Sequence, residues 1–224
     1  MGETISLRSD DGVELGAYRA APEGTPRGGI VVVQEIFGVN HHIRSVVDRY
    51  AGFGYLAVAP ALFDRVERGV ELDYDGDGIA KGREIVGELP LEATLADITA
   101  AAASVADAGR TGIVGYCWGG KLTYVAATRL SEHFAAGSGY YGGGIVEFAG
   151  ETPRIPLQLH FGAEDHAIPL DAVNKIREAQ PDVEVFVYDG AGHGFNCDAR
   201  DSYDPVASAL AQERTNAHFA AHVG

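Results

Sequence analysis

The run Gly112-Ile113-Val114-Gly115-Tyr116-Cys117-Trp118-Gly119-Gly120 carries the architecture of this chain in nine residues. Its first half is short, apolar and β-branched, which predicts a strand over residues 112–116. Its second half opens an apolar-periodic stretch that predicts a helix over residues 119–130. A strand that turns so sharply into a helix leaves no room for a side chain two positions before or after the bend. Gly115 and Gly119 occupy those two positions. The residue between them, Cys117, is expected in a strained backbone conformation that lifts its side chain out of the turn. A thiol there also lies at the positive end of a helix, which favours the thiolate nucleophile. The backbone N–H of Trp118 is placed to meet an oxyanion developing beside that sulfur.

The flanking sequence repeats the strand-then-helix theme. Further strands are predicted over residues 4–7, 14–20, 29–34, 55–59, 136–140, 157–161 and 183–188. Asp11-Gly12 marks a hairpin turn between the first two. Helices are predicted over residues 43–53, 91–108, 170–179 and 206–222. Strands that alternate with helices need crossovers, so a mostly parallel central sheet with helices on both faces is expected. The unbroken run Ile30-Val31-Val32-Val33 fits a strand covered on both sides. With the Gly-x-Cys-x-Gly elbow, this gives an α/β-hydrolase fold, read as a single domain over residues 1–224.

In such sheets ligands bind beyond the carboxyl ends of the strands. Elbow hydrolases supply their acid and then their base after the nucleophile in chain order. Asp165 follows the strand at 157–161, and His193 follows the strand at 183–188 inside Gly192-His193-Gly194. His193 is therefore the expected base for Cys117, with Asp165 fixing its tautomer. The other seven histidines fit less well. His41 and His42 fall in a helix N-terminal turn, and His133 follows the helix after the elbow. His160 falls inside a strand, His166 beside Asp165, and His218 and His222 on the last helix.

Composition narrows the partners. The 224 residues are 46% hydrophobic and 22% charged, with a formal net charge of −15 from 32 acidic and 17 basic side chains. That balance argues against nucleic acid, which needs a basic face, and against an anionic membrane surface. No apolar run approaches the length of a membrane span, and no secretory leader is visible. Two cysteines without such a leader imply a reducing, cytoplasmic setting with both thiols free. Phe37, Trp118 and Tyr141 are the expected aromatic walls of an apolar pocket for a small-molecule substrate. No cofactor is required by this chemistry, and nothing in the sequence fixes an oligomeric state.

Six ordered segments resemble the dienelactone hydrolase (carboxymethylenebutenolidase) family. They are Gln34-Glu35-Ile36-Phe37-Gly38-Val39-Asn40, the elbow at 115–120, Tyr140-Tyr141-Gly142, the stretch 161–169, Ala191-Gly192-His193, and Ala211-Gln212-Glu213-Arg214-Thr215. The likeness runs from about Ser6 to Phe219. It implies hydrolysis of a small lactone or carboxylic ester through a thioester on Cys117. It also implies that Glu35 sits beside the resting thiol and moves on substrate binding to help activate it. The N–H of Ile36 would be the second oxyanion donor. Read from the residues alone, Glu35 ends a buried strand and points into the same cleft, where an apolar setting favours a protonated carboxyl.

Two features depart from the family pattern. The family's substrate-binding arginine four residues after the histidine is Cys197 here, and its second arginine, after Pro60, has only Lys81 and Arg83 as loose counterparts. Cys197 therefore opens another reading, a non-hydrolytic thiol sensor or binding protein on the same scaffold. Separately, Asp73-Tyr74-Asp75-Gly76-Asp77-Gly78 with Glu84 has the spacing of a calcium loop, although the same composition also marks an exposed turn before a helix. No metal is expected.

Overall fold

In the computed structural model, which describes residues 2–224, eight strands form one sheet. In chain order these are β1 (Glu3–Arg8), β2 (Glu14–Ala20), β3 (Gly29–Val33), β4 (Leu56–Pro60), β5 (Thr111–Tyr116), β6 (Ala136–Tyr140), β7 (Leu157–Gly162) and β8 (Glu184–Tyr188). Across the sheet the order is β1-β2-β4-β3-β5-β6-β7-β8. β1 and β2 are antiparallel to each other, and β2 is antiparallel to β4. All pairs from β4 through β8 are parallel. Six helices flank them: α1 (His41–Gly52), α2 (Gly76–Glu88), α3 (Leu91–Ala103), α4 (Trp118–Arg129), α5 (Leu170–Ala179) and α6 (Pro205–His222).

The apolar run in β3 explains why both faces are covered. Side chains alternate across a strand. Ile30 and Val32 pack with Ile43, Val46, Val47 and Tyr50 of α1 and with Phe219 of α6. Val31 and Val33 pack with Leu95 and Ile98 of α3 and with Leu122 and Val125 of α4. Every residue of β3 is buried, so a polar side chain on either face would lie against one of these helices. The expected α/β-hydrolase architecture is the one observed.

Three local departures have clear causes. The predicted helix over 91–108 stops at Ala103, where Ser104 Oγ turns back to the carbonyl of Ala101 at 2.7 Å. A short 3-10 turn, Ala106–Ala108, follows and ends at Gly109 with φ 120°. Such hydroxyls compete with the helix ladder. The strand predicted to reach Gln34 ends at Val33, because Gln34 Oε1 accepts from Leu62 N at 3.1 Å. Finally, α2 follows the acid-rich run that also reads as a turn before a helix, although its four glycines give poor helix propensity and no bounds for it are legible in the sequence. It forms because Asp75 caps it, Oδ1 accepting from Gly78 N at 2.8 Å, and because Gly82 and Ile85 are buried.

The carboxyl edge of the sheet is tied together beyond the regular ladder. Cys117 N donates to Tyr140 O at 2.9 Å, Tyr141 N to His160 O at 2.7 Å, and Ala163 N to Tyr188 O at 2.9 Å. From β5 to β8, each strand end is thus pinned to the next one along.

Candidate active site

The elbow has the geometry its glycines predict. Cys117 lies at φ 54° and ψ −114°, directly before α4. A Cβ on Gly115 would approach Gly119 O to 2.0 Å, and one on Gly119 would approach Val33 O to 2.3 Å. Both contacts are with backbone, which cannot step aside. Among the described residues, Cys117 and Tyr141 are the two non-glycine positions with positive φ. They follow adjacent strands, and both touch the same imidazole: Cys117 by a hydrogen bond, Tyr141 by ring contact at 5.2 Å.

The three residues expected from the sequence come together. His193 Nε2 lies 3.2 Å from Cys117 Sγ, and His193 Nδ1 lies 2.7 Å from Asp165 Oδ2. Asp165 is fully buried at its side chain, and its other oxygen accepts from Ala167 N at 2.8 Å and Ile168 N at 3.2 Å. Those two amides fix the carboxylate, which in turn fixes the ring. Burial pulls the His193 pKa down. The bonds to Asp165 and Cys117, and the negative charges behind them, outweigh it and hold the value at about 10.

Glu35 is fully buried, and both of its oxygens are engaged. Tyr74 OH donates to Oε2 at 3.0 Å, and Arg200 Nη1 donates to Oε1 at 3.3 Å. With a phenol on one oxygen and a guanidinium on the other, the mouth is less apolar than the local sequence suggests. Cys117 is hydrogen-bonded to His193 rather than to Glu35. Arg200 spreads over the rings of Phe37 and Tyr74 at 5.7 and 5.5 Å. Neither of the loose arginine counterparts has this position. Lys81 is held on the outside of α2 by Glu67 and Glu84, and Arg83 is exposed.

Arg200 and Tyr74 were not singled out in the sequence. Arg200 lies three residues beyond Cys197 in the same strand-end loop, and that position was the available signal. Tyr74 sits inside the acid-rich run that resembled a calcium loop. The structure spends that run otherwise: Asp75 caps α2, and Glu84 pairs with Lys81. Among the described residues no group of three or more His, Cys, Asp or Glu is arranged to hold a metal ion. The segment before Tyr74 runs along the loop that carries Glu35, through a bridge between Gly38 and Glu71 and a bond from Leu72 N to Phe37 O at 2.9 Å.

Of the three expected pocket aromatics, Tyr141 lies against His193 and Phe37 against Tyr74, at 5.2 and 4.5 Å between centroids. Trp118 instead packs on Phe63 at 5.9 Å, within the core on the α3 side. As the first residue of α4, Trp118 has no carbonyl one turn earlier to bond. Cys197 is fully buried, and burial together with the nearby charge of Glu35 pushes its thiol up to about 12. Of the remaining histidines, His160 forms part of a buried network. His160 Nδ1 meets Tyr188 OH at 2.8 Å, and Thr215 Oγ1 meets Ser138 Oγ, Tyr140 OH and His160 Nε2 at 2.9, 2.7 and 3.3 Å. A cavity of about 250 Å³ lined by residues including Tyr18, Gln34, Val39 and Phe63 lies to one side of this centre and shares none of Cys117, Asp165 or His193. No helix among the described residues is long and apolar enough to cross a membrane.

The family model described as "Dienelactone hydrolase family" matches residues 15–223. The carboxymethylenebutenolidase of Pseudomonas putida is 35% identical over 222 residues, covering 95% of this chain and 93% of its own. A Synechocystis protein provisionally named a carboxymethylenebutenolidase is 34% identical over 236 residues, covering 96% and 95%. A solved structure from Klebsiella pneumoniae, provisionally named a dienelactone hydrolase, superposes with a TM-score of 0.88 at 33% identity, covering 98% of each chain. A family match over residues 15–223, with a relative 35% identical along nearly its whole length, means that the chain belongs to the dienelactone hydrolase family.

Proposed function

We propose that this protein hydrolyses a small lactone or carboxylic ester by covalent catalysis on Cys117. The observation that carries the reading is the unbroken chain from Cys117 Sγ to His193 at 3.2 Å and on to Asp165 at 2.7 Å. A thiolate on Cys117 attacks the substrate carbonyl carbon, and the carbonyl electrons move to oxygen. The N–H groups of Ile36 and Trp118 receive that oxyanion. When the carbon–oxygen bond breaks, protonated His193 gives its proton to the leaving oxygen, which in a lactone stays attached through the opened chain. A thioester remains. Water then attacks it while His193 takes a proton, and the carboxylic acid departs with Cys117 restored. Asp165 orients the ring throughout.

Arg200 beside Glu35 supports a substrate that carries a carboxylate of its own. A guanidinium in a chain of formal charge −15 gives such an anion a local partner that the overall field does not. Glu35 then exchanges its Arg200 contact for one nearer the sulfur. The thiol-sensor alternative has less support, since Cys197 is buried with its thiol held protonated. Hydrolysis of 4-nitrophenyl acetate by wild type and by Cys117→Ala tests the reading. The expected loss is about a thousandfold or more, with an acyl adduct on Cys117 in quenched wild type by mass spectrometry. Equal rates would remove Cys117 from the mechanism.

A further inference from the structure

Two residues outside the chemistry above join the parts of the chain that meet over Glu35. His42 lies in the first turn of α1, just after the loop carrying Glu35, Ile36 and Phe37. Asp198 lies in the loop after β8, two residues before Arg200. Although 156 positions apart, His42 Nδ1 and Asp198 Oδ1 meet at 2.9 Å. The His42 side chain is shielded from solvent, while that of Asp198 is 53% exposed. Arg49, also on α1, approaches the second oxygen of Asp198 at 3.9 Å.

The His42 ring is an unusual occupant of this place. Its Nε2 is buried without a partner, so the position carries an unsatisfied nitrogen that an aliphatic side chain would not. What the imidazole adds is one bond to Asp198. Burial holds its pKa below the ordinary value, so the ring is neutral near pH 7 and Nδ1 is the donor. That bond ties the loop after β8 to α1 at a point only two residues from the guanidinium. With its carboxylate drawn onto α1, the loop is left little freedom to carry Arg200 away from Phe37 and Tyr74.

We propose that the His42–Asp198 bond is a latch that positions Arg200, and through it sets how tightly the site takes a carboxylate-bearing substrate; this rests on the hydrolase reading above. His42 and Asp198 are positioning residues and touch no substrate. The latch makes a prediction of unusual sign. Asp198 is an anion near an anion-binding group, so on charge alone its removal should tighten binding of an anionic ester. A latch requires the opposite.

The test compares the mono-4-nitrophenyl ester of adipic acid with 4-nitrophenyl hexanoate, its uncharged counterpart. Asp198→Ala is expected to raise KM for the adipate ester about fivefold, the size of one lost hydrogen bond, and to move kcat for the hexanoate less than twofold. His42→Leu should do the same. Asp198→Asn, which keeps the acceptor and loses the charge, should stay within about twofold of wild type. An unchanged or lower KM in Asp198→Ala, or equal effects of Ala and Asn, overturns the latch. If wild type hydrolyses neither ester, the hydrolase reading fails instead. The latch is then read from the Arg200 Nε–H resonance, assigned by its loss in Arg200→Lys. Asp198→Ala must shift or broaden it and Asp198→Asn must not; a signal indifferent to Asp198→Ala overturns the proposal.

Discussion

Cys117 and Tyr141, at the ends of neighbouring strands, share a left-handed backbone with φ 54° and 37°. Each is held there by donating its amide to the next strand, Cys117 to Tyr140 O and Tyr141 to His160 O. Backbone strain of this kind costs on the order of 1–3 kcal/mol per residue. The Tyr141 hydroxyl is buried without a partner. Tyr141→Phe should therefore be neutral or stabilising by about 1 kcal/mol in urea titration, with the ring contact to His193 kept. A fall of more than tenfold in kcat would mean that the hydroxyl itself contacts substrate.

Protonation of His193 is expected to link activity to pH. Its pKa of about 10 in the folded protein lies above the ordinary 6.5. The stabilisation from binding that proton is complete below pH 6.5 and is lost as pH rises through about 10. Under the proposed mechanism the same proton goes to the leaving oxygen. The alkaline limb of kcat/KM is thus expected near pH 10. Asp165→Asn removes the bond that most raises the value, so the limb should move to lower pH, with kcat down about a hundredfold or more. A limb that stays in place after Asp165→Asn would contradict this account.

Glu35 compensates Arg200. Glu35→Ala leaves the guanidinium, whose side chain is 19% exposed, against aromatic faces with no anion. The expected cost is about 2 kcal/mol, a fall in Tm of roughly 5 °C. Glu35→Gln retains an acceptor and should lose about half as much. Calorimetry that finds the two variants equal would show that charge, not hydrogen bonding, dominates the pair.

The two thiols should differ sharply in reactivity. Cys197 is fully buried and its pKa is raised to about 12, so native protein at pH 7.5 is expected to take up one iodoacetamide, at Cys117. Peptide mapping checks the site. Rapid labelling of Cys197, or a Cys117–Cys197 disulfide after peroxide, would favour the sensor reading instead.

Thr215 is a hub rather than a catalytic group. Its hydroxyl joins Ser138, Tyr140 and His160 in a fully buried network. Thr215→Val keeps the volume and strands these partners, at an expected cost of about 2–4 kcal/mol. Activity per folded molecule should be unchanged. A variant as stable as wild type would mean that the partners re-pair among themselves.

How far the sequence could be read follows from the range of each constraint. The glycines around Cys117 answer to backbone contacts within a few residues, so the elbow was plain. Asp165 and His193 follow strands whose patterns are local, and chain order supplied the pairing. Arg200 and Tyr74 meet Glu35 from 165 and 39 residues away. No periodicity encodes such meetings. The acid-rich run around Tyr74 also imitated a metal loop, because helix caps and calcium ligands draw on the same side chains. The extent of α2 was illegible for a related reason: its stability comes from a cap and from close packing at Gly82, not from propensity.

The pinning of each strand end to its neighbour separates two kinds of support. The sulfur, its imidazole and its acid hang from β5, β8 and β7, whose spacing is that of any hydrogen-bonded sheet. Arg200 and Tyr74 hang from excursions outside the sheet. Under the proposed mechanism, lengthening, shortening or exchanging those excursions would redirect which molecule is accepted while the reacting atoms keep their separations. In this scaffold, new selectivity is reachable without rebuilding the chemistry.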